Sequence, residues 1–189
     1  MTQVEVLLQI AEILQSAGIP FMVAGSHGSS YYGTPRSTND IDLVIDPSAD
    51  QLENFLRLLG NQYYVSPDAA RDALRRRSMF NIISFSAGEK VDLIIRKDNP
   101  FGVEQFRRRG MGKIQGTDVP FASAEDIILA KLEWDKITPS ERQVRDVLEV
   151  LKVRWTELDK SYLRKWANEL GVAGKLEELL GETERLQTP

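Results

Sequence analysis

An α/β (α+β) fold is predicted for this chain: a mixed sheet flanked by helices, with a helical C-terminal half-domain. Three observations predict it. Helical and strand periodicities alternate over residues 1–121, short apolar runs bounded by Gly and Pro read as buried strands, and from Ser123 onward the pattern is helical throughout. The expected organisation is a core over 1–121, a helical region over 122–181 and a flexible polar tail over 182–189. A chain of 189 residues is long enough to bury a substantial core.

The elements follow in order. Val4, Leu7, Leu8, Ile10, Ala11, Ile13 and Leu14 recur at helical spacing over 2–17, and Gly18 stops that helix. Ile19 to Ala24 reads as a short buried strand, followed by a small-residue loop, Gly25-Ser26-His27-Gly28-Ser29-Ser30, and a connection from Tyr31 to Thr38. Asp40 to Ile45 is a second strand. A helix over 48–59, capped by Ser48 or Asp50, buries Leu52, Phe55, Leu56, Leu58 and Leu59. Gln62 to Val65 is a short strand, and Ser66-Pro67 opens a helix through Arg76 in the cap-then-proline order.

Met79 to Ser86 and Lys90 to Ile95 form strands joined by Ala87-Gly88-Glu89. A helix from Asn99 to Arg109 ends at Gly110, and 111–121 is irregular or a weak strand. Ser123 opens a helix to about Trp134, with Asp126 in the acidic place of a capping box. Helices over 140–153, 157–170 and 173–180 complete the chain.

Composition narrows the chemistry. The net charge of −4 argues against a strongly basic nucleic-acid coat. With no cysteine, disulfides, thiolate zinc sites and cysteine nucleophiles are excluded, and a reducing cytoplasm is the expected location. His27 is the one histidine, so His-based metal clusters are excluded as well. The N-terminal stretch has neither a basic region nor a long apolar core, and no apolar run approaches the ~20 residues of a membrane span.

Against that background Asp40-Ile41-Asp42 is physically expensive. In a strand, residues i and i+2 project from one face, roughly 7 Å apart at the Cα. Two carboxylates there repel unless a cation lies between them, and hard oxygen donors suit a divalent ion. Two leave such an ion under-coordinated, and Asp92, in the apolar run Val91-Asp92-Leu93, offers a third. Gly25-Ser26, at the end of the first strand and followed by residues with helix-forming potential, lets backbone N–H groups approach a phosphate, and the following helix N-terminus adds positive potential. A phosphate cradle and a carboxylate metal site together equip a chain for phosphoryl or nucleotidyl transfer.

Ala24-Gly25-Ser26, a spacer, Thr38-Asn39-Asp40-Ile41-Asp42-Leu43 and the later Asp92 resemble the polymerase-β-like nucleotidyltransferase superfamily. Its signature is a hydrophobic strand, Gly-Gly or Gly-Ser, then Asp-x-Asp and a third acidic residue. Gly33-Thr34-Pro35-Arg36-Ser37-Thr38-Asn39-Asp40 looks like the corresponding string of small bacterial stand-alone members. The run from Ala122 to Leu132, with Asp146-Val147-Leu148, is similar to the helical half of the group containing abortive-infection toxins. The resemblance spans about residues 18–150; His27 and Gly28 depart from the small pair usual after the glycines.

The resemblance implies a polymerase-β-like nucleotidyltransferase fold and a Mg²⁺-dependent enzyme, with Mn²⁺ as the alternative ion. Asp40, Asp42 and Asp92 are the implied metal ligands and catalytic residues, Asp92 serving as base. Gly25, Ser26, Arg36 and Lys131 are implied to hold the nucleotide. The implied partners are an NTP and an acceptor hydroxyl on tRNA, a protein or a small molecule such as an aminoglycoside. An antitoxin is a further implied partner.

Other readings stand beside these. Asp-x-Asp also occurs in glycosyltransferases and surface hairpins; 189 residues is short for the former, which have no need of a Gly25-Ser26 loop. A nucleotide-binding regulatory module would keep the fold with little transfer. Arg36 could hold phosphate and, in the apo protein, pair with Asp40 or Asp42, the two not being exclusive, and Asp92 could pair with Lys90 or Arg96. Arg75-Arg76-Arg77 and Arg107-Arg108-Arg109 could line a polyanion path, but helix ends, where cations suit the dipole, are the preferred reading. Asp146 is read as a structural partner, Asp46 as a turn residue before Pro47, and Trp134, Trp155 and Trp166 as packing residues.

Overall fold

The computed structural model describes residues 1–38 and 40–187. Asn39, part of the motif string, and Thr188 and Pro189, in the expected tail, lie outside the described residues. The chain divides into two compact units. The first comprises Met1–Ala24 and Thr38–Phe121, and the second comprises Gly25–Ser37 with Ala122–Pro189.

The first unit is built on a seven-stranded sheet. Its strands are β1 (Phe21–Val23), β2 (Asp40–Ile45), β3 (Tyr63–Val65), β4 (Met79–Ser84), β5 (Lys90–Ile95), β6 (Gly110–Ile114) and β7 (Thr117–Phe121). They lie in the order β3-β4-β5-β2-β1-β7-β6. The β2–β5 and β1–β7 pairs are parallel, the rest antiparallel. The centre is apolar: Phe21, Met22, Val23, Ile41, Leu43, Ile45, Val91, Leu93 and Ile95 are all buried. Strand β4 alternates strictly, burying Phe80 and Ile82 and exposing Met79, Asn81 and Ile83, the mark of a half-covered strand.

Four helices complete this unit: α1 (Gln3–Ser16), α3 (Ala49–Leu59), α4 (Pro67–Arg76) and α5 (Pro100–Arg107). Capping boxes start two of them, Thr2 with Glu5 and Ser48 with Gln51. Ser66 and Asn99 cap the other two, each followed by proline. On α3, Leu52, Phe55 and Leu59 are buried, but Leu58 faces solvent, because the apolar stripe is narrower than the run of leucines. Residues 111–121, expected to be irregular or a weak strand, form the β6–β7 hairpin, its turn made by Gln115 and Gly116 at φ of 48° and 86°.

The second unit is helical: α2 (Gly25–Tyr32), α6 (Ala124–Ile137), α7 (Glu141–Arg154), α8 (Lys160–Leu170) and α9 (Ala173–Gln187). The expected loop 25–30 is the first part of α2, which starts at Gly25 with φ of 53°. Helix α2 packs on α6 and α7. At its C-terminal end Gly33 permits a close approach: a Cβ there would lie 3.0 Å from both the Ser29 oxygen and the Val150 nitrogen. Helix α9 runs to Gln187 rather than ending at Leu180, and within its added turns Thr183 is buried with its hydroxyl donating to the Leu179 carbonyl. Trp166 is buried as expected, whereas Trp134 is largely exposed on α6. Among the described residues no helix is long and apolar enough to cross a membrane.

Candidate active site

Strand register assembles the carboxylates in the first unit. Parallel pairing of β2 with β5 sets Asp42 opposite Asp92 and Asp40 opposite Lys90. Register partners project to one face of a sheet, so Asp40, Asp42, Lys90 and Asp92 share a face. The other face takes Ile41, Leu43, Val91 and Leu93, which are fully buried and fix that orientation, since a one-residue slip would bury the acids in the core. Antiparallel β4 brings Asn81 opposite Asp92.

Lys90 lies between two of the acids. Its Nζ donates to Asp92 Oδ2 at 2.8 Å and stands 3.4 Å from Asp40 Oδ1. The Asp92 hydrogen bond raises the Lys90 pKa above its ordinary value against the opposing effect of burial, with Asp40 adding to the rise. Asp92 is buried, and its second oxygen, Oδ1, has no hydrogen-bond partner. At the far end of the strands Asp46 accepts from Arg96 at 2.8 Å and Arg77 at 3.1 Å, which makes it a charged clasp just beyond β2.

In the second unit Asp146 on α7 gathers the two cations expected to hold phosphate. Arg36 makes a two-pronged contact with it, Nε to Oδ1 at 2.7 Å and Nη2 to Oδ2 at 2.6 Å. Lys131 Nζ donates to the same Oδ2 at 2.7 Å and to Gln143 Oε1 at 2.9 Å. Arg36 Nη2 also reaches Ser26 Oγ at 2.9 Å, so Ser26, Arg36, Lys131 and Asp146 form one network. Lys131 and Asp146 are both buried. Burial pushes the Asp146 carboxyl up, but donation from Arg36 and Lys131 outweighs it and holds the group below its ordinary value.

The sequence-predicted residues therefore fall into two sets. Asp40, Asp42 and Asp92 share one sheet face, and Ser26, Arg36 and Lys131 share one hydrogen-bonded network. Gly25 begins α2, whose first-turn N–H groups are the kind that attract anions. The carboxylate that Arg36 pairs with is neither Asp40 nor Asp42, the two read from the sequence, but Asp146, a planar two-oxygen acceptor matched to its fork. Lys90, not Arg96, pairs with Asp92. The arginine clusters sit at helix ends, Arg75 and Arg76 bound to Asp72 and Arg107 to Glu104.

Lys90 was legible only as a partner of Asp92; its place opposite Asp40, which makes it part of the site, depends on the register. Among the described residues no three acidic or histidine side chains already form a group that could hold a metal ion. The donor chemistry of Asp40, Asp42 and Asp92 nevertheless fits a hard divalent ion, and the orphaned Asp92 Oδ1 is a buried acceptor of the kind such an ion satisfies.

No family model matches the sequence, and no curated protein matches it. Solved structures do. ANT(2'')-Ia in complex with adenylyl-2''-tobramycin is similar over 90% of this chain and 97% of its own, at 14% identity and a TM-score of 0.62. The lincosamide antibiotic adenylyltransferase LnuA, lincomycin-bound, is similar over 81% of this chain and 98% of its own, at 13% identity and a TM-score of 0.56. An antigenic nucleotidyltransferase-like protein from Paracoccidioides brasiliensis is similar over 94% and 91%, at 16% identity and a TM-score of 0.55. The chain has the polymerase-β-like nucleotidyltransferase fold.

Proposed function

We propose that the chain is a Mg²⁺-dependent nucleotidyltransferase that moves a nucleoside monophosphate from an NTP to an acceptor hydroxyl. The observation that carries this reading is the gathering of Asp40, Asp42 and Asp92 on one sheet face, with a buried carboxylate oxygen of Asp92 left without a partner. Leaving a buried acceptor unmet costs about 1–3 kcal/mol, a cost that a proton-accepting or ion-binding role explains.

In this reading Asp40, Asp42 and Asp92 would hold divalent metal, Asp40 and Asp42 the nucleotide-bound ion and Asp92 the acceptor side, with Mn²⁺ able to take the place of Mg²⁺. When bound, the ion neutralises phosphate charge. Gly25 and Ser26 bind the triphosphate, with Arg36 and Lys131 contributing positive charge. Asp92 accepts the proton of the acceptor hydroxyl. That oxygen forms a bond to the α-phosphorus, the bond from α-phosphorus to the bridging oxygen breaks, and pyrophosphate leaves with the electron pair.

The neighbours in complex with adenylyl-2''-tobramycin and with lincomycin make a hydroxyl-bearing small molecule the first acceptor to test. Transfer to tRNA or protein, and an antitoxin partner in the cytoplasm, rest on the resemblance to abortive-infection toxins alone. A second reading, a nucleotide-binding regulatory module with little transfer, has its own support: Asp92 is paired with Lys90, and both Arg36 and Lys131 are engaged by Asp146. Incubation with each α-labelled NTP, Mg²⁺ and, in turn, tobramycin, lincomycin, total tRNA and cell lysate separates the two. Label on an acceptor with pyrophosphate release supports the enzyme; nucleotide binding with no transfer to any acceptor supports the module.

A further inference from the structure

The carboxylate face carries its own cation. Lys90 stands opposite Asp40 in the β2–β5 register and two residues before Asp92, so both acids lie within its reach, at 3.4 and 2.8 Å. We infer that Lys90 is the resident counter-ion of this site: it holds Asp40 and Asp92 together before a divalent ion arrives and is displaced when one binds. The inference rests on the reading of Asp40, Asp42 and Asp92 as metal ligands.

The geometry supports competition rather than coexistence. A Mg²⁺ ion takes its oxygens at about 2.0–2.1 Å and demands near-octahedral order. An ammonium gathers the same oxygens at hydrogen-bond distance and adds a positive charge where the ion must sit. The side chains around Lys90 are spaced for an ammonium, in keeping with the lack, among the described residues, of a three-ligand group. Lys90 can also leave. Its side chain is 41% exposed, against 9% for Asp92, and its flexible stem lets the head move while the strand stays fixed. Lys90 thus relieves the repulsion among the acids in the metal-free protein and weakens metal affinity in return.

The test is Mn²⁺ binding, measured with the metal alone on the full chain by isothermal titration and electron paramagnetic resonance. Lys90→Gln should bind Mn²⁺ about tenfold more tightly, because a positive charge no longer stands beside the oxygens that would take the ion. Without metal it should melt below the wild type, and Mn²⁺ should raise its melting temperature by more. Lys90→Arg, which keeps a cation, should stay near the wild type in both measurements. If Lys90→Gln does not fold, Lys90→Met carries the same expectation. Equal or weaker Mn²⁺ binding in the folded neutral variant overturns the counter-ion role. Asp42→Asn separates the two levels: loss of Mn²⁺ there, with unchanged affinity in Lys90→Gln, overturns the Lys90 inference but keeps the metal site. Retention of Mn²⁺ in Asp42→Asn removes the metal site, and the inference with it.

Discussion

Asp42 and Asp92 are register partners across the parallel β2–β5 ladder, set opposite each other though fifty positions apart in sequence. Parallel strands need a long crossover, and here α3, β3, α4 and β4 fill it. The pairing is held by the fully buried Ile41, Leu43, Val91 and Leu93, so the site is positioned by the core rather than by a loop.

The paired aspartates are expected to carry nucleotide affinity. Asp40→Asn and Asp42→Asn should each abolish Mg²⁺-dependent NTP binding while the protein stays folded, because an amide is a poor ligand for a hard cation. Isothermal titration with and without Mg²⁺ checks this. Unchanged Mg²⁺-dependent affinity in both variants would place the metal elsewhere.

Asp92 is expected to act on the chemical step. Asp92→Asn should keep most NTP affinity and lose transfer by about 10²-fold or more, the scale of general-base removal. Single-turnover transfer measured beside NTP binding reads both. Transfer that survives the substitution unchanged would leave Asp92 as a strand carboxylate paired with Lys90.

Much of this was readable from local pattern. The bounds of β2, α4 and β5 follow from apolar alternation, from the Ser66-Pro67 start and from the Lys90–Ile95 run, signals contained within a few residues. Helix α2 was readable only in part: a helix N-terminus after Gly25-Ser26 is expected, but Gly25, Ser26, Gly28, Ser29 and Ser30 are poor helix formers that read as a loop, and the helix packs on α6 and α7. The β6–β7 hairpin was masked by Gln115 in a left-handed position that Asn or Gly usually takes. In the candidate site, spacing gave the acids of one strand. The opposition of Lys90 to Asp40, and the convergence of Arg36 and Lys131 on Asp146, depend on pairings across 50, 110 and 15 residues that local periodicity does not encode.

Gly33 offers a test of packing in the second unit. Gly33→Ala would bring a methyl to 3.0 Å from the Ser29 oxygen and the Val150 nitrogen, both backbone atoms that cannot swing aside. The expected loss is about 1–3 kcal/mol, the range for overpacking. Chemical denaturation followed by circular dichroism measures it, and wild-type stability would show that the end of α2 can shift away from α7.

Asp146 should make stability acid-sensitive. Its carboxylate binds Arg36 in two places and Lys131 in a buried pair, and its pKa is held below the ordinary 3.8. A depressed carboxylate stabilises the folded state fully above its unfolded pKa, and the contribution disappears as pH falls through the lower folded value. Removing the charge takes from the buried Lys131 ammonium and from Arg36 the carboxylate they share, and breaking a buried pair by removing one partner costs about 3–5 kcal/mol. Asp146→Asn should therefore melt well below the wild type at pH 7. The gap should persist down to about pH 4, where an unfolded aspartate titrates, and close below it as the wild-type carboxylate takes up its proton. Melting temperatures of both proteins from pH 7 to pH 3 trace this, and a gap that is constant across the series would mean that the charge of Asp146 contributes nothing beyond its shape.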